Sequence, residues 1–253
     1  MSVGWFRGAR GLAWAVAAAL LLLGVPVMAK PAGLVVSALP HVARRVAQSL
    51  PLRIVAFGSS STEGVGASSP AASYPSRLQA FLRDALPVPV QVVNAGIGGE
   101  DADDMAKRIP AVLADRPDLV IWQTGSNDPL RDVPLDRFAA RTRAGIAELR
   151  AGGADVILME PQDCQALRDH PGAWAYRDAL REIAAQMQAP LVRRYDLMHQ
   201  WIADGLLTPA QMLYTDGLHM TDGGYAQLAK AVGRQILTLL HRPTGTHYAG
   251  TAK

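Results

Sequence analysis

The chain has 253 residues, 49% of them hydrophobic, with 25 basic and 22 acidic side chains and a single cysteine. That composition supplies a full-sized core for one globular domain and excludes a disordered, collagenous or disulfide-stapled protein. The formal charge is +3, but residues 1–29 hold two arginines and no acid, which leaves 23 basic against 22 acidic residues beyond them; with no run of five like charges, no nucleic-acid partner is expected.

At the N-terminus, Arg7 and Arg10 precede an apolar stretch from Leu12 to Val27, followed by Val27-Met28-Ala29. This is the three-part pattern of a secretory signal, so residues 1–29 are expected to be a signal peptide cut after Ala29, which makes the mature chain periplasmic or secreted. The alternative is an uncleaved inner-membrane anchor, although Gly24 and Pro26 interrupt the apolar stretch. Either way, a membrane is expected to be met only through this segment. Residues 30–51 read as a linker with a short helix interrupted by Pro40, because Leu34, Val35, Leu39, Val42, Val46 and Leu50 fall roughly at helical spacing.

From there, β-branched apolar runs alternate with amphipathic stretches. Strands are predicted at Leu52–Phe57, Val88–Asn94, Leu119–Gln123, Asp155–Glu160 and Leu191–Tyr195, and helices at Tyr74–Leu86, Asp101–Ala114, Leu135–Ala151 and Ala173–Met187. Such alternation predicts an α/β domain over residues 52–240: a five-stranded parallel sheet, doubly wound in the flavodoxin-like manner, with helices on both faces. A last helix is predicted from Asp222 to Leu240 with Thr221 as its N-cap, and residues 241–253 read as a loose tail. Arg44-Arg45 and Arg193-Arg194 read as solvated pairs, and Cys164 as an incidental thiol in a loop outside any cysteine motif.

Chemistry gathers in four short segments: Gly58 to Gly64 (GSSSTEG), Asn94 to Gly99 (NAGIGG), Gly125 to Asp128 (GSND) and Asp216 to His219 (DGLH). The first three follow predicted strands, so they collect at one edge of the sheet, where open α/β folds bind ligands. Ser60 stands in a turn flanked by Gly58 and Gly64, where a nucleophile is exposed. The spacing fits neither a Walker A loop nor G-x-S-x-G, and alone the turn reads equally well as a helix cap. Asp216 lies three residues before His219, close enough to hold the Nδ1 proton and leave Nε2 facing Ser60 as a base. His41, His170, His199, His241 and His247 lack such a partner. Gly99 and Asn127, with the Ser60 amide, are candidate donors to a developing oxyanion. Trp122 and Ile97, beside these segments, read as core. No cofactor or metal motif is visible.

In this order the four segments resemble the blocks of the SGNH (GDSL-type) hydrolase superfamily, over Arg53 to Leu240. The resemblance implies a metal-free serine esterase with Ser60 as nucleophile, Asp216 and His219 as the general-base pair, and Ser60, Gly99 and Asn127 as oxyanion donors. Asn94 becomes a turn-organising residue. The family usually has aspartate before the nucleophile; this chain has Ser59, which leaves open what holds the Ser60 turn, with Glu63 as one substitute. Small acyl esters, carbohydrate O-acetyl groups or lysolipids are the expected substrates. The alternatives are an acyltransferase or thioesterase using the same site, and a non-catalytic carbohydrate-binding or surface-assembly protein. Oligomeric state has no signature in the sequence.

Overall fold

The computed structural model describes Met1 and residues 37–240; the expected signal segment, the first part of the linker and the tail lie outside the described residues. Five strands, β1 (Leu52–Gly58), β2 (Val90–Gly96), β3 (Leu119–Gln123), β4 (Asp155–Met159) and β5 (Leu191–Val192), pair in parallel in the order β2-β1-β3-β4-β5. This is the doubly wound order expected from the βα alternation.

The central strands are apolar on both sides because helices cover both faces. Ile54, Ala56, Leu119, Ile121, Ile157 and Met159 point to one layer, formed by α1 (Pro40–Ala47), α3 (Tyr74–Ala85), α9 (Arg194–Ala203) and α11 (Asp222–Leu240). The residues between them, Val55, Phe57, Val120, Trp122, Val156 and Leu158, meet α4 (Ala102–Ala114), α6 (Leu135–Ala151) and α8 (Ala173–Gln186). Strand period and sheet face therefore agree residue by residue. Gly145 brings α6 onto the Trp122 ring, since a Cβ there would lie 2.4 Å from the indole.

Three sequence expectations are corrected. Pro40 does not interrupt the linker helix but starts it; at the first helical position its missing N–H costs nothing. Strand β2 begins at Val90 rather than Val88, because Pro89 has no N–H for the ladder and serves only as acceptor for Leu52 N–H at 2.8 Å. Strand β5 stops at Val192, and the expected strand end Arg193–Tyr195 turns into α9, whose first turn carries Asp196 against the helix dipole. Helix α11 does start after Thr221, whose Oγ1 accepts the Gly224 N–H at 3.2 Å.

Register sets the site. Gly58 on β1 pairs with Gly96 on β2, and Phe57 with Trp122 on β3, so the segments that follow these strands emerge side by side at the C-terminal edge of the sheet.

Candidate active site

Ser60 is the first residue of a single helical turn, α2 (Ser60–Glu63), with Ser59 extended before it and Gly64 closing it at φ +105°. His219 comes from the connection between α10 (Pro209–Met212) and α11. There Leu213 and Met220 form an antiparallel bridge, Tyr214 N–H donates to His219 O at 2.8 Å, and Gly217 takes φ +65°. This tight turn presents Asp216 and His219 on one side.

The structure brings three expected residues together. His219 Nε2 lies 2.9 Å from Ser60 Oγ, and His219 Nδ1 lies 2.7 Å from Asp216 Oδ2. The other carboxylate oxygen, Oδ1, accepts the backbone N–H groups of Leu218 and His219, both at 2.9 Å. One aspartate therefore fixes both the turn and the imidazole: with Nδ1 donating to a carboxylate, Nε2 is the acceptor for the serine proton. Partial burial pushes the Asp216 carboxyl up, but the hydrogen bonds from the His219 ring and the two N–H groups outweigh it and hold it below its ordinary value.

Gly99 sits in an exposed turn at φ +78°, a conformation glycine adopts without strain. Asn127 opens α5 (Asn127–Leu130) and spends one Nδ2 hydrogen on Glu100 O at 2.7 Å. Among the described residues, the N–H groups of Ser60 and Gly99 and the second Nδ2 hydrogen of Asn127 have no acceptor. Asn94 organises the turn between them: its Nδ2 donates to Glu63 O and its Oδ1 accepts Gly96 N–H, both at 3.0 Å. Glu63 does not stand in beside the nucleophile; its carboxylate accepts Gly98 N–H at 2.8 Å and ties the first segment to the second. Gly96 has to be glycine, because a Cβ there would lie 2.0 Å from Glu63 N.

Beneath this surface runs a buried polar layer that the sequence reading missed. Gln123, fully buried at the end of β3, accepts on Oε1 from Ser59 N (3.0 Å), Ser59 Oγ (3.2 Å) and Thr62 Oγ1 (3.3 Å). These bonds hold the Ser60 turn where the family pattern has aspartate. Gln123 Nε2 donates to Ser126 Oγ at 3.1 Å, which donates to Gln162 Oε1 at 3.2 Å, and Gln162 Nε2 reaches Leu218 O at 3.3 Å beside His219. Arg194 completes the layer, donating to Gln162 Oε1 and Ser61 Oγ, both at 3.2 Å. Its side chain is 0% exposed, which corrects the reading of Arg193-Arg194 as a solvated pair: Arg193 is exposed and Arg194 is interior. Burial lowers the Arg194 pKa, opposed by Tyr225, Cys164 and Tyr74 around it.

Asp128, next to Asn127, is also fully buried and accepts Ala102 N–H at 2.9 Å and Gly125 N–H at 3.1 Å. Burial pushes its carboxyl up to about 6. The segment after β4 packs against the histidine turn, with Gln165 N–H on Gly217 O at 3.2 Å. Cys164 is buried there and burial raises its thiol pKa, so it is inert. Trp122 is core as expected, whereas Ile97 is 48% exposed: the turn after Gly96 carries it past the sheet edge.

The arrangement provides a hydroxyl next to an oriented base and unspent donors on the adjoining loops, the requirements of acyl transfer. The model of the Non-GDSL lipase-like family matches residues 29–241. The esterase TesA of Pseudomonas aeruginosa is 28% identical over 154 residues, covering 59% of this chain and 71% of that protein. The probable rhamnogalacturonan acetylesterase YesY of Bacillus subtilis is 27% identical over 184 residues, covering 63% of this chain and 82% of that protein. In three dimensions the chain resembles a two-domain esterase active on acetylated mannans, with a TM-score of 0.69 and 20% identity over 86% of this chain. That likeness is one of fold, and the chain spans 57% of the two-domain protein.

Proposed function

Since the chain belongs to the Non-GDSL lipase-like family, within the SGNH hydrolases, we propose that it is an exported serine esterase that hydrolyses small acyl esters, O-acetyl groups on saccharides foremost. The observation that carries this reading is the continuous relay from Ser60 Oγ through His219 to Asp216, at 2.9 and 2.7 Å.

In this reading Ser60 Oγ attacks the ester carbonyl while its proton passes to His219 Nε2, and Asp216 stabilises the imidazolium. The tetrahedral oxyanion is met by the N–H groups of Ser60 and Gly99 and the free Nδ2 hydrogen of Asn127, each worth about 3 kcal/mol. Collapse expels the alcohol, which takes the proton from His219 and leaves an acyl-serine. Water, deprotonated by the same imidazole, then releases the acid and restores the serine. The preference for acetylated saccharides is supported by the YesY relative and by the exposed setting of Gly99 and Ile97, which leaves the alcohol side open to a bulky sugar. Export is supported by the signal-like N-terminal sequence.

The test is turnover of p-nitrophenyl acetate and of acetylated oligosaccharides by the full chain and its Ser60→Ala variant. The variant is expected to lose at least roughly 10⁴-fold in kcat while keeping its unfolding midpoint. Ser60→Ala retaining full turnover would refute the assignment; an active parent that leaves acetylated sugars untouched would refute the substrate class alone.

A further inference from the structure

The catalytic edge is one end of the sheet. At the other, about 20 Å away along β1 at strand rise, a groove of about 860 Å³ is lined by Arg45, Arg53, Arg83 and Arg116 together with Gln79 and Asp118. Four arginines and one acidic residue thus line the groove, from both sides of the sheet's end, in a chain whose charges nearly balance once residues 1–29 are set aside.

Two side-chain acceptors in this groove, Asp118 and Gln79, are already engaged. Asp118 Oδ2 accepts Arg53 N–H at 2.8 Å, and its Oδ1 lies 3.3 Å from Arg45 Nε. Gln79 Oε1 accepts Val92 N–H at 2.8 Å, which turns the amide into a net donor. Arg45 is pinned by Nε and Nη2 on Pro51 O, and Arg83 by Nε on Val90 O at 2.8 Å, so both guanidinium planes are fixed in advance. Among the described residues, the guanidinium groups of Arg53 and Arg116 have no partner. Asp84 and Asp115 stand on adjoining helix ends but do not line the groove.

Arg116 adds an independent observation. It is the second residue after α4 and has φ +49°, the left-handed position where helices usually end on glycine. An arginine accepts strain there that glycine would avoid, and its side chain makes no contact that repays it within the described residues. We propose that this groove is a binding site for a phosphate group, gripped by the free guanidinium forks of Arg53 and Arg116 and oriented by Arg45 and Arg83. Planar forks meeting phosphate oxygens in pairs are the geometry for which arginine exceeds lysine. The group is either a free phosphate or the headgroup of an anionic lipid, and the two are separable by experiment.

The full chain is titrated with inorganic phosphate by calorimetry, and separately sedimented with vesicles of phosphatidylglycerol or of phosphatidylcholine. Parent protein is expected to bind phosphate, or to prefer the anionic vesicles over the neutral ones; the first result identifies a soluble ligand and the second a membrane surface. Attachment to both vesicles alike reports only the apolar N-terminal segment and, without phosphate binding, overturns the proposal. Arg116→Gly, which removes the fork and the strain together, is expected to unfold no earlier than the parent yet to weaken binding at least about tenfold, as is Arg53→Ala. Undiminished binding in both variants would equally overturn it. Aryl-ester turnover in these variants should match the parent, so the outcome is independent of the reading of Ser60.

Discussion

Gln123→Leu tests what holds the nucleophile turn. The substitution preserves most of the volume at the end of β3 but removes the acceptor for Ser59 N–H, Ser59 Oγ and Thr62 Oγ1 and the donor to Ser126. All these partners are buried, between 0% and 5% exposed, so water does not replace the lost bonds. The hydroxyls rotate toward other acceptors, whereas the Ser59 N–H is fixed by the backbone. A buried group left unsatisfied costs about 1–3 kcal/mol; the Ser59 N–H alone therefore gives about 1–3 kcal/mol, a sizeable part of a typical stability of about 5–15 kcal/mol. Urea unfolding of the parent and Gln123→Leu measures it directly. Turnover of an aryl ester by the folded variant should fall by roughly 10²-fold, the effect of misplacing a reacting group by about 1 Å. An unfolding free energy within about 0.5 kcal/mol of the parent, with unchanged turnover, would show that the helix cap alone holds Ser60 and that the layer beneath is incidental.

Two further outcomes follow from the same loops. Burial pushes the Asp128 carboxyl up from an ordinary 3.8 to about 6, so between these values the native state holds a proton that the unfolded chain has released. Its contribution to stability is complete below about pH 4 and is lost as pH rises through 6, a change of about 3 kcal/mol; denaturant unfolding from pH 4 to 7 should show this fall in the parent and not in Asp128→Asn, and parallel curves would refute it. Gly96→Ala would place a methyl 2.0 Å from Glu63 N and 2.5 Å from Thr62 C, both backbone atoms with no rotamer to give, so it should cost at least about 1–3 kcal/mol and shift α2. A variant with parent-like melting and turnover would mean that this close approach is absent in solution.

The parts legible in the sequence share one property: the physics behind each repeats or restricts residue type. Burial on both faces makes residues 54–57, 119–122 and 156–159 continuous apolar runs within β1, β3 and β4, and helix burial imposes a 3.6-residue spacing, so Leu119–Gln123, Leu135–Ala151 and Asp222–Leu240 match their predicted bounds. The active-site segments are legible for a stricter reason, since few side chains attack a carbonyl or relay a proton. Ser60, Asp216 and His219 therefore stand out by type before anything is known of their contacts.

Support within the site obeys no such restriction. The task of Gln123 is to accept three donors and give one, which many polar groups of suitable reach can do; one glutamine closing an apolar strand looks like the strand's solvated end. Arg193 and Arg194 show the limit more sharply. Adjacent at the entry to α9, with Arg193 as its N-cap and Arg194 as its first residue, one faces water and the other the layer under Ser61 and Gln162, and no feature of the pair distinguishes them. The same ambiguity hides the groove at the far edge: Arg45, Arg53, Arg83 and Arg116 are scattered over 72 positions and become a cluster only because parallel strands and their returning helices place every strand start at one end of the sheet. Reactive groups announce themselves by what they are, whereas binding and supporting groups acquire their meaning from where the topology delivers them.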